Sequence, residues 1–281
     1  MQTEPGTPPP PATGQAPVAL ASPADAGAAT VPVEAGTPGV ALAADAAPAS
    51  QCPNDMAHVK KDFCPKIERR CLKDEYDKAN HITICHKFEP GSARCEAPRT
   101  ALDFCIDHYE FPNQKGARPP VMIDWYHAMG ECAALGKRLC YESEWVAACE
   151  GPSELPFPYG YERSAEKCNI DNAWVDPSLK KIYSKDRAIS APELARLDRS
   201  VPSGSKPGCV SDYGVFDLTG NVDEWVLADH DRPKEKAKFT ALKGGAWGHV
   251  RNACRPVTTS HEPEFRYYFV SFRCCKDPTG S

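Results

Sequence analysis

The sequence predicts an irregular, disulfide-rich α+β domain carried on a disordered, Pro/Ala-rich N-terminal tether. Three observations predict it. Residues 1–51 contain no Lys, Arg, Cys or aromatic residue, all 14 cysteines fall between Cys52 and Cys275, and the apolar runs after Cys52 are short and of mixed period. A stretch with the composition of 1–51 has nothing with which to build a core. One domain is therefore expected over 52–281, with 52–100 as its cysteine-rich N-terminal part.

Charge and cysteine usage narrow the function classes. Four of the 38 acidic residues lie in the tether (Glu4, Asp25, Glu34, Asp45), so the domain carries 33 basic against 34 acidic side chains. That balance argues against nucleic acid or an acidic membrane surface as partner. An even, dense set of cysteines points to disulfides and an oxidising compartment. A zinc protein is the alternative, but no CxxC pair occurs; the nearest spacings are Cys64 to Cys71, Cys132 to Cys140, Cys140 to Cys149 and the adjacent Cys274 and Cys275, none of them a zinc-finger spacing. The sequence shows no basic and apolar export signal and no run of about 18 apolar residues. The expectation is a mature chain whose signal has been removed, placed in the periplasm, at the cell surface or secreted. Its tether has the composition of one that stands a bacterial lipoprotein's domain off a membrane, so membrane contact would come only through an unseen N-terminal anchor.

The elements follow in order. From Cys52 to about Ser92 the chain is polar, with Cys52, Cys64, Cys71 and Cys85 and only short apolar runs such as 81–85; strand pairs and loops pinned by disulfides are expected. Asp103 to Glu110 alternates as a strand does, and Phe111 to Gly116 reads as a turn. A helix should start at the cap Asp124, bury Trp125, Met129, Cys132 and Ala133, and stop at Gly136. A second should run from Glu142 to Cys149 with Trp145 inward, ended by Gly151-Pro152. Residues 154–206 are rich in Pro, Asp and Ser, with one short helix near Pro192 to Leu197; bound cations, or disulfides through Cys168 and Cys209, would have to order them. From Tyr213 onward short aromatic strands return, closing with Tyr267 to Cys275.

Four blocks in order resemble one family, that of the formylglycine-generating enzymes or sulfatase-modifying factors. They are Phe104-Cys-Ile-Asp-His-Tyr-Glu110; Pro119-Pro-Val-Met-Ile-Asp-Trp-Tyr-His-Ala128 leading to Gly136-Lys-Arg-Leu-Cys-Tyr-Glu-Ser-Glu-Trp145; Tyr213-Gly-Val-Phe-Asp-Leu-Thr-Gly-Asn-Val-Asp-Glu-Trp225; and Leu242-Lys-Gly-Gly-Ala-Trp247 with Val270-Ser-Phe-Arg273. The resemblance implies an irregular α+β fold of C-type-lectin-like type with little regular secondary structure, in agreement with the loop-rich reading above.

It also implies sites. The third block would build a structural calcium site from Asp217, the carbonyls of Gly220 and Val222, and Glu224, because Ca2+ takes six to eight oxygens and favours carboxylates; the alternative is that Asp217 and Glu224 cap turns beside Trp225. A second calcium site would begin at Asn169 and Ile170, with Asp198 as a weaker candidate. The family's enzymes oxidise a substrate cysteine to formylglycine with Cu(I) held by two cysteines, soft ligands for a soft ion. Alignment on Gly244-Gly245 places His249 at the first of those positions and Cys254 at the second, so one thiolate is missing. Cys254 is then either a disulfide partner or a metal-binding or redox thiol. His249, Trp247, Arg251, Arg255 and His261, with Phe265 and Tyr267 near in sequence, would line a pocket for an anionic or carbohydrate ligand. No nucleophile–base motif, P-loop or dinucleotide fingerprint occurs.

Two functions follow. One is a divergent binding or scaffold module that takes a protein, peptide or glycan ligand at the cell surface. The other is a copper-dependent oxidase that forms formylglycine with Cys254 and His249. The bonding state of Cys254 separates them.

Overall fold

Neighbouring residues of a strand face opposite sides of the sheet, and the adjacent Cys274 and Cys275 use this to tie one strand to two layers. Cys274 is bonded to Cys132 and Cys275 to Cys140. The computed structural model describes residues 51–78, 80–232, 238–249 and 251–279. The chain divides after Ala47 into two units, and these residues belong to the second, Pro48–Ser281. Apart from Gln51, the tether expected over 1–51 lies outside the described residues.

The elements among them are short. In chain order they are β1 (Met56–Phe63), β2 (Ile67–Glu68), β3 (Cys71–Asp77), β4 (Ile82–Phe88), β5 (Arg94–Cys95), β6 (Thr100–Asp107), α1 (Trp125–Ala134), β7 (Arg138–Leu139), α2 (Glu142–Glu150), α3 (Leu179–Ile182), α4 (Arg187–Leu197), β8 (Asp223–Leu227), β9 (Thr240–Lys243), β10 (Val257–Thr258), β11 (Val270–Phe272) and β12 (Cys274–Lys276). One sheet has the order β1-β6-β12-β7 and a second β10-β9-β8-β11, while β2-β5 and β3-β4 form two ribbons. Pairing is antiparallel except between β8 and β11. Helix α2 touches β1 and β6 of the first sheet and β8 and β9 of the second. That position explains why it is buried from Glu144 to Glu150 and why its sequence shows little amphipathic pattern.

Helix α1 begins where the cap predicts: the Asp124 carboxylate accepts from the His127 N–H at 2.9 Å, and Gly136 follows the end with φ 65°. Its inward face is Trp125, Ala128 and Cys132. Met129 and Ala133 were expected inside, but Met129 is 38% exposed and Ala133 is exposed as well, because a stripe centred on 125, 128 and 132 leaves both at its margin. The 154–206 stretch holds two helices where one was expected. Asp186 caps α4 through the Ala188 N–H, so Pro192 lies inside the helix rather than at its start. The ring costs α4 one backbone bond, and Glu193 offsets this by accepting from the Ser178 N–H and pairing with Arg196. The Cys168–Cys209 disulfide staples the same region.

The closing segment is two strands, not one. β11 ends at Phe272 in the second sheet and β12 starts at Cys274 in the first, so Arg273 stands at the switch between sheets, 1% exposed. All 14 cysteines are paired. No helix among the described residues is long and apolar enough to cross a membrane.

Candidate functional site

The turn over 217–222 needs a glycine at its centre. Gly220 has φ 89°, and a Cβ there would stand 2.4 Å from the Asn169 carbonyl oxygen, so no other residue fits. This close approach lays the 168–170 loop on the turn. The Asn221 N–H donates to that carbonyl at 3.0 Å, and the Asn169 amide donates to the Asn221 side-chain oxygen at 3.0 Å and to the Arg199 carbonyl at 2.9 Å. The two groups of expected calcium ligands are therefore neighbours. Asp198 is the C-cap residue of α4, where its carboxylate accepts from the Ser200 N–H and lies 3.6 Å from Arg118.

Below the turn sit three buried carboxylates and one guanidinium. Glu224 accepts from Arg273 at both oxygens, 2.7 Å each, and from the Trp145 indole at 2.8 Å. Asp217 accepts from the Gly204 N–H with one oxygen at 2.6 Å, while its other oxygen is buried without a partner among the described residues. Glu110 accepts from the Ser203 hydroxyl at 2.7 Å and from the Asn221 amide at 2.8 and 3.0 Å. Burial first, and then the charges of Asp217 and Glu224, push the Glu110 carboxyl well above the usual carboxylate range. Burial pushes Asp217 up to about 6. Glu110 and Asp217 therefore hold protons more readily than ordinary carboxyls, and the partnerless Asp217 oxygen is the group here that a cation would use. Glu224 already gives both oxygens to Arg273 and Trp145. The described residues contain no group of three or more His, Cys, Asp or Glu side chains placed to hold a metal ion.

The positions aligned with the family's copper ligands have other uses. Cys254 is fully buried and bonded to Cys149, and its N–H donates to the Pro156 carbonyl at 3.0 Å. The alternative of a redox or metal-binding thiol at Cys254 is corrected accordingly: α2 brings Cys149 within bonding distance, a pairing with a sequence separation of 105. His249 packs edge-on against Phe269 at 4.5 Å and lies 3.1 Å from the Asp223 carboxylate through Nδ1. Cys254 belongs to the core cluster around Trp145, whereas Phe269 belongs to the cluster around Trp225.

Asn252 and Arg163, which no motif marked, organise this loop. The Asn252 amide donates to the carbonyls of Gly244, Gly245 and Ala246, and Arg163 donates to the carbonyls of His249 and Asn252. The expected single pocket splits in two. Arg251 and Arg255 line a cleft of about 550 Å³ with Arg69 and Arg163. Trp247 is buried and, with His249, Trp174 and Tyr268, walls a small hollow. His261 stacks on Phe265 at 3.7 Å, and Phe265 on Tyr267 at 5.6 Å. The loop turns back on itself through Asn252, which sends residues close in sequence to different faces.

An irregular α+β domain, stapled by disulfides, with a Gly-Gly turn at 244–245 and a closing pair of strands joined at Arg273, defines the class. Residues 75–278 match the sulfatase-modifying factor enzyme 1-like domain, and the chain belongs to that family. It is 26% identical over 163 residues to the inactive C-alpha-formylglycine-generating enzyme 2 of Bos taurus, covering 56% of this chain and 49% of that protein. To the formylglycine-generating enzyme of Mus musculus it is 25% identical over 175 residues, 57% of this chain and 44% of that one. To the serine/threonine-protein kinase pkn1 of Chlamydia caviae it is 28% identical over 174 residues, 56% of this chain and 24% of that one. The chain therefore spans between a quarter and a half of the length of these relatives. The crystal structure of CarF superposes with a TM-score of 0.51 at 16% identity, covering 80% of this chain and 98% of the other, and shares its fold.

Proposed function

We propose that this protein is a non-catalytic, extracytoplasmic member of the family, a module that binds a protein, peptide or glycan ligand through the 247–268 segment. The observation that carries the reading is the Cys149–Cys254 disulfide beside a histidine at position 249. Two-thiolate Cu(I) ligation needs a pair of free sulfurs, and this chain offers none at these positions. Seven disulfides support a place outside the reducing cytoplasm. The exposed Trp174 and Tyr183, close to Tyr268 and to the Arg266 carbonyl respectively, supply aromatic surface next to the segment. Incubated with Cu(I), O2 and a cysteine-containing peptide, the purified protein should return the peptide at unchanged mass. Conversion of the cysteine to an aldehyde, read as a mass loss, would restore the copper oxidase.

A structural Ca2+ belongs to the same reading, held by Asp217 with the carbonyl oxygens of Gly220 and Val222. The support is the buried Asp217 oxygen that has no partner among the described residues. A ligand bound only to the native state raises stability by mass action, so exhaustive chelation should lower the melting temperature and added Ca2+ should restore it. The Asp217→Asn variant should lose that response. An unchanged melting curve after chelation would count against the ion.

A further inference from the structure

We infer that the arginine-lined cleft is a binding site for the carboxyl end of an extended polypeptide with apolar terminal side chains. The inference rests on the binding reading above and names its ligand. The cleft lies between the β3–β4 ribbon and the 251–257 segment. Its volume of about 550 Å³ and its apolar walls, which include Ile84, Phe88, Phe157 and Val257, are those of a ligand site rather than a surface dimple.

Its charge is selective. Of the four arginines, Arg69 and Arg255 both pair with the buried Glu150, and Arg163 pairs with Asp171 at 2.6 Å. Arg251 has only a neutral partner among the described residues, the Thr258 hydroxyl at 3.3 Å. Arg69 adds an Nε–H that is buried with no partner among the described residues. One unneutralised guanidinium over an apolar floor calls for one anion on an apolar body, and a carboxylate can take the guanidinium in a two-pronged bond.

The backbone points to a polypeptide. Strand β4 pairs with β3 on one side; on the other, among the described residues, only Lys87 bridges to Glu162. Ile82 to Cys85 line the cleft and have no backbone partner on that edge among the described residues, and the Cys71–Cys85 disulfide ties the two strands of the ribbon together. An open strand edge gives main-chain hydrogen bonds to an added extended chain, and the neighbouring apolar surface takes its side chains.

The test uses the full chain and a pool of N-terminally labelled octapeptides whose last three positions are randomised over Leu, Ile, Val and Phe. The pool is prepared with free carboxyl ends and, separately, with amidated ends. By fluorescence anisotropy the free-acid pool should bind about tenfold or more tighter than the amide pool. Arg251→Gln should erase that difference while leaving the melting temperature unchanged, and Arg187→Gln, remote on α4, should not. Equal binding of the two pools, no binding at millimolar peptide, or insensitivity to Arg251→Gln would overturn the assignment. Displacement of the free-acid pool by dodecanoate at lower concentration than by unlabelled peptide would overturn it in favour of a fatty acid. The copper assay reports on the non-catalytic reading separately, so a failure here leaves that result standing.

Discussion

Replacing Arg273 by Met should destabilise the domain by about 3–5 kcal/mol, the cost of stripping the partner from a buried ion pair. The guanidinium and Glu224 are each 1% exposed, and Arg273 also donates to the carbonyls of Phe216 and Asp107. It is the cation nearest a cluster that also holds Glu110 and Asp217. Without it, the buried Glu224 carboxylate would lose the cation that bonds both its oxygens. The loss should therefore exceed that of Arg138→Met, whose partner Asp277 is exposed, although Glu144 is not. Adding Glu224→Gln to Arg273→Met should recover part of the loss, since the stranded charge causes most of the damage. Urea midpoints of the two single variants and the double variant measure this. A shift below about 1 kcal/mol for Arg273→Met would show that Glu224 takes up a proton or water once its partner is gone, and would overturn the ion-pair argument.

The second large effect lies in the staples. In the chain-entropy account a disulfide stabilises more the longer the loop it closes. Cys132–Cys274 spans 142 residues and Cys71–Cys85 only 14, which corresponds to roughly 5 against roughly 3 kcal/mol. The larger loss should also be global, because Cys274 anchors β12 between β6 and β7, whereas Cys71 and Cys85 join only the two strands of a ribbon. The Cys132→Ala/Cys274→Ala pair should shift the whole unfolding transition. The Cys71→Ala/Cys85→Ala pair should speed proteolysis within 71–88 and move the midpoint less. Equal midpoints for the two pairs would contradict the loop-length argument.

Much of the local structure was legible from single residues. Asp124 and Gly136 bracket α1 because a carboxylate can take a free helix N–H and a glycine tolerates positive φ. The four family blocks placed Glu110, Asp217, Glu224 and Arg273 in the text of the sequence, yet nothing in their spacing said that they meet. Residues 110 and 273 come together only because the chain switches sheets at Arg273. Pro192 misled for the opposite reason: its signal is local, and the Asp186 cap and the Glu193 contacts override it.

The cysteines divide along the same line. Their number, evenness and spacing pointed, from the sequence alone, to a disulfide-built domain, while the four sequence blocks carried the family resemblance, which placed a histidine at the first of the two expected copper positions. Which cysteine meets which was decided by tertiary structure, since pairing depends on the few ångströms between Cα atoms and not on sequence separation. Helix α2, wedged between the two sheets, carries Cys149 to Cys254, and that contact makes a staple of the cysteine that the resemblance aligns with a copper ligand. The cleft beside it follows the same logic: Arg251 stands out because Glu150 and Asp171 neutralise its neighbours, and Glu150 meets Arg69 and Arg255, 81 and 105 residues away in sequence, only through tertiary contacts.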